Sequence, residues 1–232
     1  MHLAADYGGV AKCLAANHDL PHAIEMQSKA TVILSDASKS DPGNATLSEF
    51  LGESSNLLAG FSKGNGDPAS GLSAYRQAHK IFEDLLKADP KNTLAKANVG
   101  FSNTGIGASL LALHKPDDAV KTLRESIATF EEMSPKMTGN RYPRTGLAAS
   151  YSTLGYAFQA LATARGTSPN LRRGYWAEAY SSCQMSVAIW KDKEKRGELE
   201  SREHDSIDEA AQCITTSEAQ LGHSVPKLSR LY

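Results

Sequence analysis

Three short segments of this sequence carry the residue types that catalytic or metal sites use. His18 and His22 are four residues apart, a spacing that binds a metal on one helix, but a turn is predicted between them. Ser150 and Ser152 lack the Gly-x-Ser-x-Gly pattern of a hydrolase nucleophile, and no Gly-Lys-Ser/Thr follows the glycines near residue 65. We therefore predict no enzymatic activity, no metal site and no cofactor.

Arginine and aromatic side chains come together near residue 172. Arg172 and Arg173 precede Trp176, and the segment from Arg165 to Arg173 is predicted as a long loop. Guanidinium groups and an indole ring can jointly recognise a small ligand. We keep this alternative ligand site, formed by Arg172, Arg173 and Trp176, beside the alternative that Trp176 is wedged between helices.

Charge, hydropathy and cysteine content limit the class of protein. Twenty-five Lys and Arg residues against 26 Asp and Glu residues give a net charge of -1, so no overall field attracts nucleic acid. No segment approaches the roughly 18 apolar residues of a membrane helix, so the chain is not predicted to be membrane-embedded. Cys13, Cys183 and Cys213 form no CxxC pair, and we interpret them as small buried apolar residues.

The composition indicates an all-α protein. Alanine, the strongest helix former, occurs 32 times among 232 residues, and aromatic residues make up only 7%. Val, Ile and Thr show no strict alternation, which removes the main indication of a sheet. Turn signals such as Asp41-Pro42-Gly43-Asn44 separate segments of helical length. Turns at such intervals between helical segments are typical of helical-repeat proteins.

One helical pattern recurs along the chain, with large residues three and seven positions apart and a small residue at the fourth. Its four copies are Tyr7-x-x-Val10-Ala11-x-x-Leu14, Ser48-x-x-Leu51-Gly52-x-x-Ser55, Asn103-x-x-Ile106-Gly107-x-x-Leu110 and Tyr151-x-x-Leu154-Gly155-x-x-Phe158. A second small residue follows each first one, and the pairs are Ala11 with Ala23, Gly52 with Gly71, Gly107 with Ala119 and Gly155 with Ala179. These pairs predict notches where two helices of a repeat cross.

The pattern resembles that of the tetratricopeptide repeat (TPR) family. The segments Ser-Lys-Ser-Asp-Pro-Gly-Asn (38–44) and Leu-Lys-Ala-Asp-Pro-Lys-Asn (86–92) resemble the long-helix repeats found downstream of bacterial serine/threonine kinase domains. The resemblance implies one right-handed superhelical solenoid over residues 1–232, with four helix-turn-helix repeats and a C-terminal capping helix. The expected repeats are residues 3–44, 45–91, 92–138 and 139–199, followed by a cap at 203–222. Such a solenoid presents a concave groove lined by the first helix of each repeat.

The resemblance also implies which side chains face the groove. The predicted peptide-binding positions are Lys12, Glu49, Glu53, Asn56, Thr104, Ser152, Tyr156 and Gln159. Family members that clamp a C-terminal carboxylate use Lys and Asn in adjacent repeats, whereas Lys12 is followed here by Glu49 and Glu53. This difference argues against an acidic tail and favours a neutral or basic segment.

The expected function is therefore a noncatalytic scaffold that binds a protein or peptide, as in the interaction region of a signalling protein. The alternative is a small-molecule sensor domain with its site at the repeat-four loop. The compartment stays open: cytoplasmic by default, or outside the cytoplasm if the chain is the C-terminal part of a membrane kinase.

Overall fold

A computed structural model describes residues 2–133, 142–200 and 203–222. Within these ranges the chain forms nine helices and no strand, which confirms the all-α prediction. The helices are α1 (His2–Ala16), α2 (Leu20–Ser40), α3 (Ala45–Gly64), α4 (Pro68–Ala88), α5 (Thr93–Ala112), α6 (Pro116–Met133), α7 (Tyr142–Thr163), α8 (Pro169–Lys195) and α9 (His204–Leu221). No helix in the described part of the chain is both long and apolar enough to cross a membrane.

Short polar side chains at the helix starts explain where several helices begin. The carboxylate of Asp19 accepts a hydrogen bond from the His22 N–H at the start of α2, and Asp67 does the same for Ser70 at α4. Asn44 and Asn92 accept from the third residue of α3 and α5. Because each cap follows a turn of few residues, the helices are forced into successive antiparallel neighbours.

The chain divides into two compact units, Met1–Leu113 and His114–Tyr232. Helices α1 to α5 belong to the first unit, and α6 to α9 belong to the second. The two helices predicted for repeat three are therefore assigned to different units. The predicted boundary between repeats three and four, at residues 138 and 139, lies outside the described residues, and a single solenoid over 1–232 stays a proposal.

Repeat-like packing in the first unit follows small residues on facing helices. Ala11 of α1 and Ala23 of α2 are both fully buried, as the predicted notch requires. In the next helix pair the predicted notch is wrong, because Gly52 lies against the ring of Phe82 rather than against Gly71. Gly71 instead faces α3 at Ala59, where an added Cβ would stand 3.0 Å from the Ala59 carbonyl oxygen.

This correction restores the regular spacing of the repeat. Ala59 and Gly71 are twelve residues apart, as are Ala11 and Ala23. The sequence pattern places the notch two helical turns too early in α3, because the Leu-Gly pair at residues 51 and 52 matches the expected consensus. The pattern does not mark Ala59, because Ser55 and Ser62 stand at the large-residue positions around it.

In the second unit, α7 and α8 form the longest helix pair and α9 packs on both. Gly155 of α7 faces Ala179 of α8, with 3.2 Å between the Ala179 carbonyl oxygen and a Cβ placed on residue 155, so this notch is confirmed. An apolar cluster joins all three helices through Ala162, Trp176, Tyr180 and Leu221. The last of these residues belongs to α9, which ends at Gly222 with a positive φ of 64°.

The cysteine prediction is corrected by the structure. Cys183 of α8 and Cys213 of α9 are buried and form a disulfide with a Cα–Cα distance of 6.1 Å, whereas Cys13 is free and exposed. The sequence could not indicate this bond because thirty residues and a turn separate its partners. Only the packing of α9 on α8 brings them together.

Candidate functional site

The predicted groove positions of the first unit lie on α1, α3 and α5. Lys12 is exposed, and Glu49, Glu53, Asn56 and Thr104 are partly exposed. The charges of Lys12 and Glu49 both act on the Glu53 carboxyl, so one basic and two acidic side chains share one region across α1 and α3. We call this region, with Gly8 one turn before Lys12, the acidic face.

Glu53 is the least satisfied member of the acidic face. Its carboxylate has no hydrogen bond or ion pair within the described residues. Partial burial and the negative charge of Glu49 raise the pKa of Glu53 above its ordinary value, and the positive charge of Lys12 offsets only part of this effect. An added cation would stabilise such a carboxylate.

Hydrogen bonds hold the neighbouring side chains in place. Glu49 accepts a hydrogen bond of 2.9 Å from Asn92, the N-cap of α5, so a single residue caps one helix and orients a carboxylate of another. The side-chain carbonyl oxygen of Asn56 accepts a hydrogen bond of 3.0 Å from the Ser102 hydroxyl. The hydroxyl of Thr104 donates to the Gly100 carbonyl, as a threonine inside a helix commonly does. The acidic face is therefore built on rigid helices rather than on loops.

Two of the three predicted groove positions of the second unit contact α9. Tyr156 donates its hydroxyl proton to the Glu209 carbonyl at 2.7 Å, and Gln159 donates to the Cys213 carbonyl and the Ser217 hydroxyl, both at 3.0 Å. Ser152 is 9% exposed. In this structure the side chains of Tyr156 and Gln159 hold α9 through hydrogen bonds.

The structure does not assemble the alternative site of Arg172, Arg173 and Trp176. Helix α8 already begins at Pro169, so all three residues lie on the helix and not in a loop. Trp176 is 6% exposed and packs against α7 and α9, while both arginines are exposed. The indole ring is thus unavailable for stacking on a ligand beside the guanidinium groups.

A buried ion pair in the second unit has no counterpart in the sequence analysis. Lys193 is fully buried near the end of α8, and its Nζ donates to both carboxylate oxygens of Glu203 at 2.7 and 2.8 Å. Thr145 of α7 also contacts both groups. Burial by itself raises the pKa of Glu203, but hydrogen bonds from the Glu200 N–H, Lys193 and Thr145 outweigh it and lower the pKa.

The predicted turn between His18 and His22 agrees with the structure in part, since His22 already lies in α2. His18 is exposed in the turn before α2 and adopts a positive φ of 62°, and His22 pairs with its own helix cap, Asp19, at 2.8 Å. Among the residues that the structure describes, no group of three His, Cys, Asp or Glu side chains could hold a metal ion.

Comparison with known proteins finds likenesses of fold alone. No family model matches the chain, and no curated protein matches it. A crystal structure of TPR-like repeats attributed to a kinesin light chain of Podosopora anserina is 15% identical, with a TM-score of 0.48, and covers 95% of this chain and 97% of that one. The structure of BtubC (BKLC) from P. vanneervenii is 14% identical, with a TM-score of 0.46, and covers 99% and 93%.

The helices themselves decide the fold. Helix pairs meet at small buried residues in both units, at Ala59 with Gly71 and at Gly155 with Ala179, and Ala11 and Ala23 are both fully buried on α1 and α2. The chain therefore has a TPR-like helical-repeat fold, as the sequence pattern predicted.

Proposed function

We propose that this chain is a noncatalytic scaffold that binds a protein or peptide segment on the acidic face of its first unit. The observation that supports the proposal is the joint position of Lys12, Glu49 and Glu53 across α1 and α3, since Lys12 and Glu49 both act electrostatically on Glu53 and the resemblance implies that all three face the groove. Helical repeats commonly use the faces of their first helices for binding.

The charge balance of the face defines the preferred partner. Two carboxylates against one ammonium group favour a neutral or basic segment, and Glu53 has unused capacity to accept hydrogen bonds. The amide of Asn56, held through its carbonyl by Ser102, can add a donor for a backbone carbonyl of the partner. A role inside a signalling protein stays a prediction from the sequence resemblance.

A peptide array probed with the purified chain tests this proposal. Arrays of acidic, neutral and basic peptides of equal length separate the charge preference from general stickiness. We expect binding to basic peptides to weaken about tenfold when Glu49→Gln and Glu53→Gln are combined, because exposed charge pairs contribute modestly to affinity.

The matched control removes two acids from another helix of the same unit. Glu83→Gln with Asp84→Asn on α4 changes the net charge equally and affects exposed side chains. Equal losses in both double variants would mean that only net charge matters, and the proposed binding face would be wrong. Preferential capture of acidic peptides would contradict it as well.

A further inference from the structure

The side of α2 that points away from the core carries a strip of exposed residues. The members of this α2 strip are Glu25, Lys29, Val32, Asp36 and Lys39. Steps of four and three residues keep them on one side of the helix. Ala30 and Leu34 lie on the buried side, where they pack with Ala4 of α1 and Leu51 of α3. All five strip residues are exposed, so no helix in the described part of the chain covers them.

The centre of the α2 strip borders an apolar groove. Val32 is 59% exposed, and it lines a groove of about 580 Å³ together with Ile33 of α2 and with Leu3 and Tyr7 of α1. Three of the seven exposed large apolar residues in the described ranges lie on α1 and α2, whereas no other helix there carries more than one. Apolar side chains clustered in this way are typical of a contact surface.

The charges of the α2 strip are complementary to those of a second copy. Glu25 is seven residues before Val32, and Lys39 is seven residues after it. If two α2 helices cross antiparallel at Val32, Glu25 of each copy lies opposite Lys39 of the other. Lys29 then lies opposite Asp36, because their offsets from Val32 differ by one residue, or about 1.5 Å along the helix. A two-fold axis at Val32 therefore brings only opposite charges together, which favours a second copy over a partner with an excess of one charge.

The ion pairs within one copy leave these charges available. Glu25 pairs with Lys29 at 2.8 Å, and Asp36 pairs with Lys39 at 3.1 Å. Exposed pairs one turn apart on a helix contribute little to stability, so their side chains are free to adopt other partners.

The size of the exposed side fits a weak dimer. Helices α1 and α2 have 15 and 21 residues. With a rise of 1.5 Å per residue and a width of about 10 Å, the two helices present roughly 500 Å². A two-fold contact would therefore bury about 1,000 Å² in total, which is near the lower limit for a specific complex.

We propose that this chain forms a two-fold dimer in which α2 of one copy docks antiparallel on α2 of the other, centred on Val32. Val32 of each copy packs at the groove of the other, and Glu25 pairs with Lys39 on both sides of the axis. Lys12 of the acidic face is two residues after Val10, about 200° around α1 from the exposed side that Val10 shares with Leu3. The dimer thus leaves both acidic faces open and presents two of them to a partner.

Sedimentation equilibrium of the whole chain measures the dimer. We expect a dissociation constant of about 10 to 100 µM, and we expect it to rise with salt because the paired charges are exposed. A chain that stays monomeric at about 1 mM would overturn the proposal and leave the α2 strip to a different partner.

Two charge reversals give a test that misfolding cannot imitate. Glu25→Lys and Lys39→Glu each place like charges opposite one another, so either variant alone should dimerise at least about tenfold more weakly than the parent. An equimolar mixture of the two variants should dimerise about as tightly as the parent, because each contact then joins a lysine to a glutamate. A mixture no tighter than the single variants would overturn the proposed pairing. Asp84→Lys and Lys87→Glu, which alter an exposed ion pair of α4, are the controls and should leave the dimer unchanged.

Two apolar residues of similar exposure provide a second matched pair. Val32→Asp should abolish the dimer, whereas Leu94→Asp on α5 should not affect it. Both side chains are exposed, so circular dichroism should show the same helix content in both variants. Equal dimerisation of the two variants would contradict the assignment to α2. The peptide array tests the acidic face separately, so a failure of the dimer leaves the scaffold proposal in place.

Discussion

Gly155 of α7 lies directly against the sulfur of Cys183 in α8, and a Cβ on residue 155 would clash with that sulfur and stand 3.0 Å from the Cys213 sulfur. The absence of a side chain at one position therefore creates the space for the disulfide that joins α8 to α9. The notch glycine and the cross-link of the cap are parts of one contact.

A methyl group at residue 155 should destabilise the second unit. We expect Gly155→Ala to lower the free energy of unfolding by about 1 to 3 kcal/mol, the usual cost of overpacking a core, although alanine favours a helix. Urea denaturation measures the change. Gly174→Ala on α8, where nothing lies within 4 Å, is the control and should stabilise the chain slightly. Equal effects of the two changes would contradict the contact described above.

Reduction of the disulfide should loosen α9. A bond that closes a loop of thirty residues stabilises by about 3 to 4 kcal/mol through the entropy of the unfolded chain. In dithiothreitol we expect the free energy of unfolding, measured by urea denaturation, to fall by this amount. The rate of amide hydrogen exchange should rise first in α9. Cys213→Ser should reproduce both effects without reductant, whereas Cys13→Ser should leave them unchanged, since Cys13 is exposed and free. Unchanged protection of α9 after reduction would rule out this role of the bond.

Breaking the buried ion pair should cost more than removing it. Lys193→Met leaves the Glu203 carboxylate buried without its cation and should destabilise by about 3 to 5 kcal/mol. Combining Lys193→Met with Glu203→Leu should recover most of this loss, because no uncompensated charge remains. Lys191→Met, an exposed change on the same helix, is the control for thermal unfolding. A double variant as unstable as the single one would show that the pair does not act as a unit.

The Glu53 carboxyl should give a pH dependence of a definite sign. Its pKa is raised from the ordinary 4.5 by burial and by Glu49, with Lys12 opposing, so the charged form is the disfavoured one in the fold. At a pH above the pKa of Glu53, the Glu53→Gln variant should therefore have a higher melting temperature than the parent chain. This gain should vanish as the pH falls toward 4.5. Calorimetry at neutral and acid pH measures this difference, with Glu83→Gln as the control. A lower melting temperature of Glu53→Gln at neutral pH would show that Glu53 stabilises the fold.

Local features of the sequence predicted the helices closely. The predicted turn Asp41-Pro42-Gly43-Asn44 separates α2, which ends at Ser40, from α3, which begins at Ala45, because caps and turns act within a few residues. The loop predicted from Arg165 to Arg173 is shorter in the structure, because α8 begins at Pro169. Glu49 and Glu53 are one turn apart on α3, so the sequence by itself places them on the same side of that helix.

Contacts between helices distant in sequence were decided only by the tertiary structure. The notch at Ala59, the Cys183–Cys213 bond and the Lys193–Glu203 pair each depend on which residue a neighbouring helix presents. Helical periodicity specifies the side of a helix but not the register of its neighbour. That register follows from packing over the whole helix pair, where burial of apolar area and the fit of side chains outweigh any short motif.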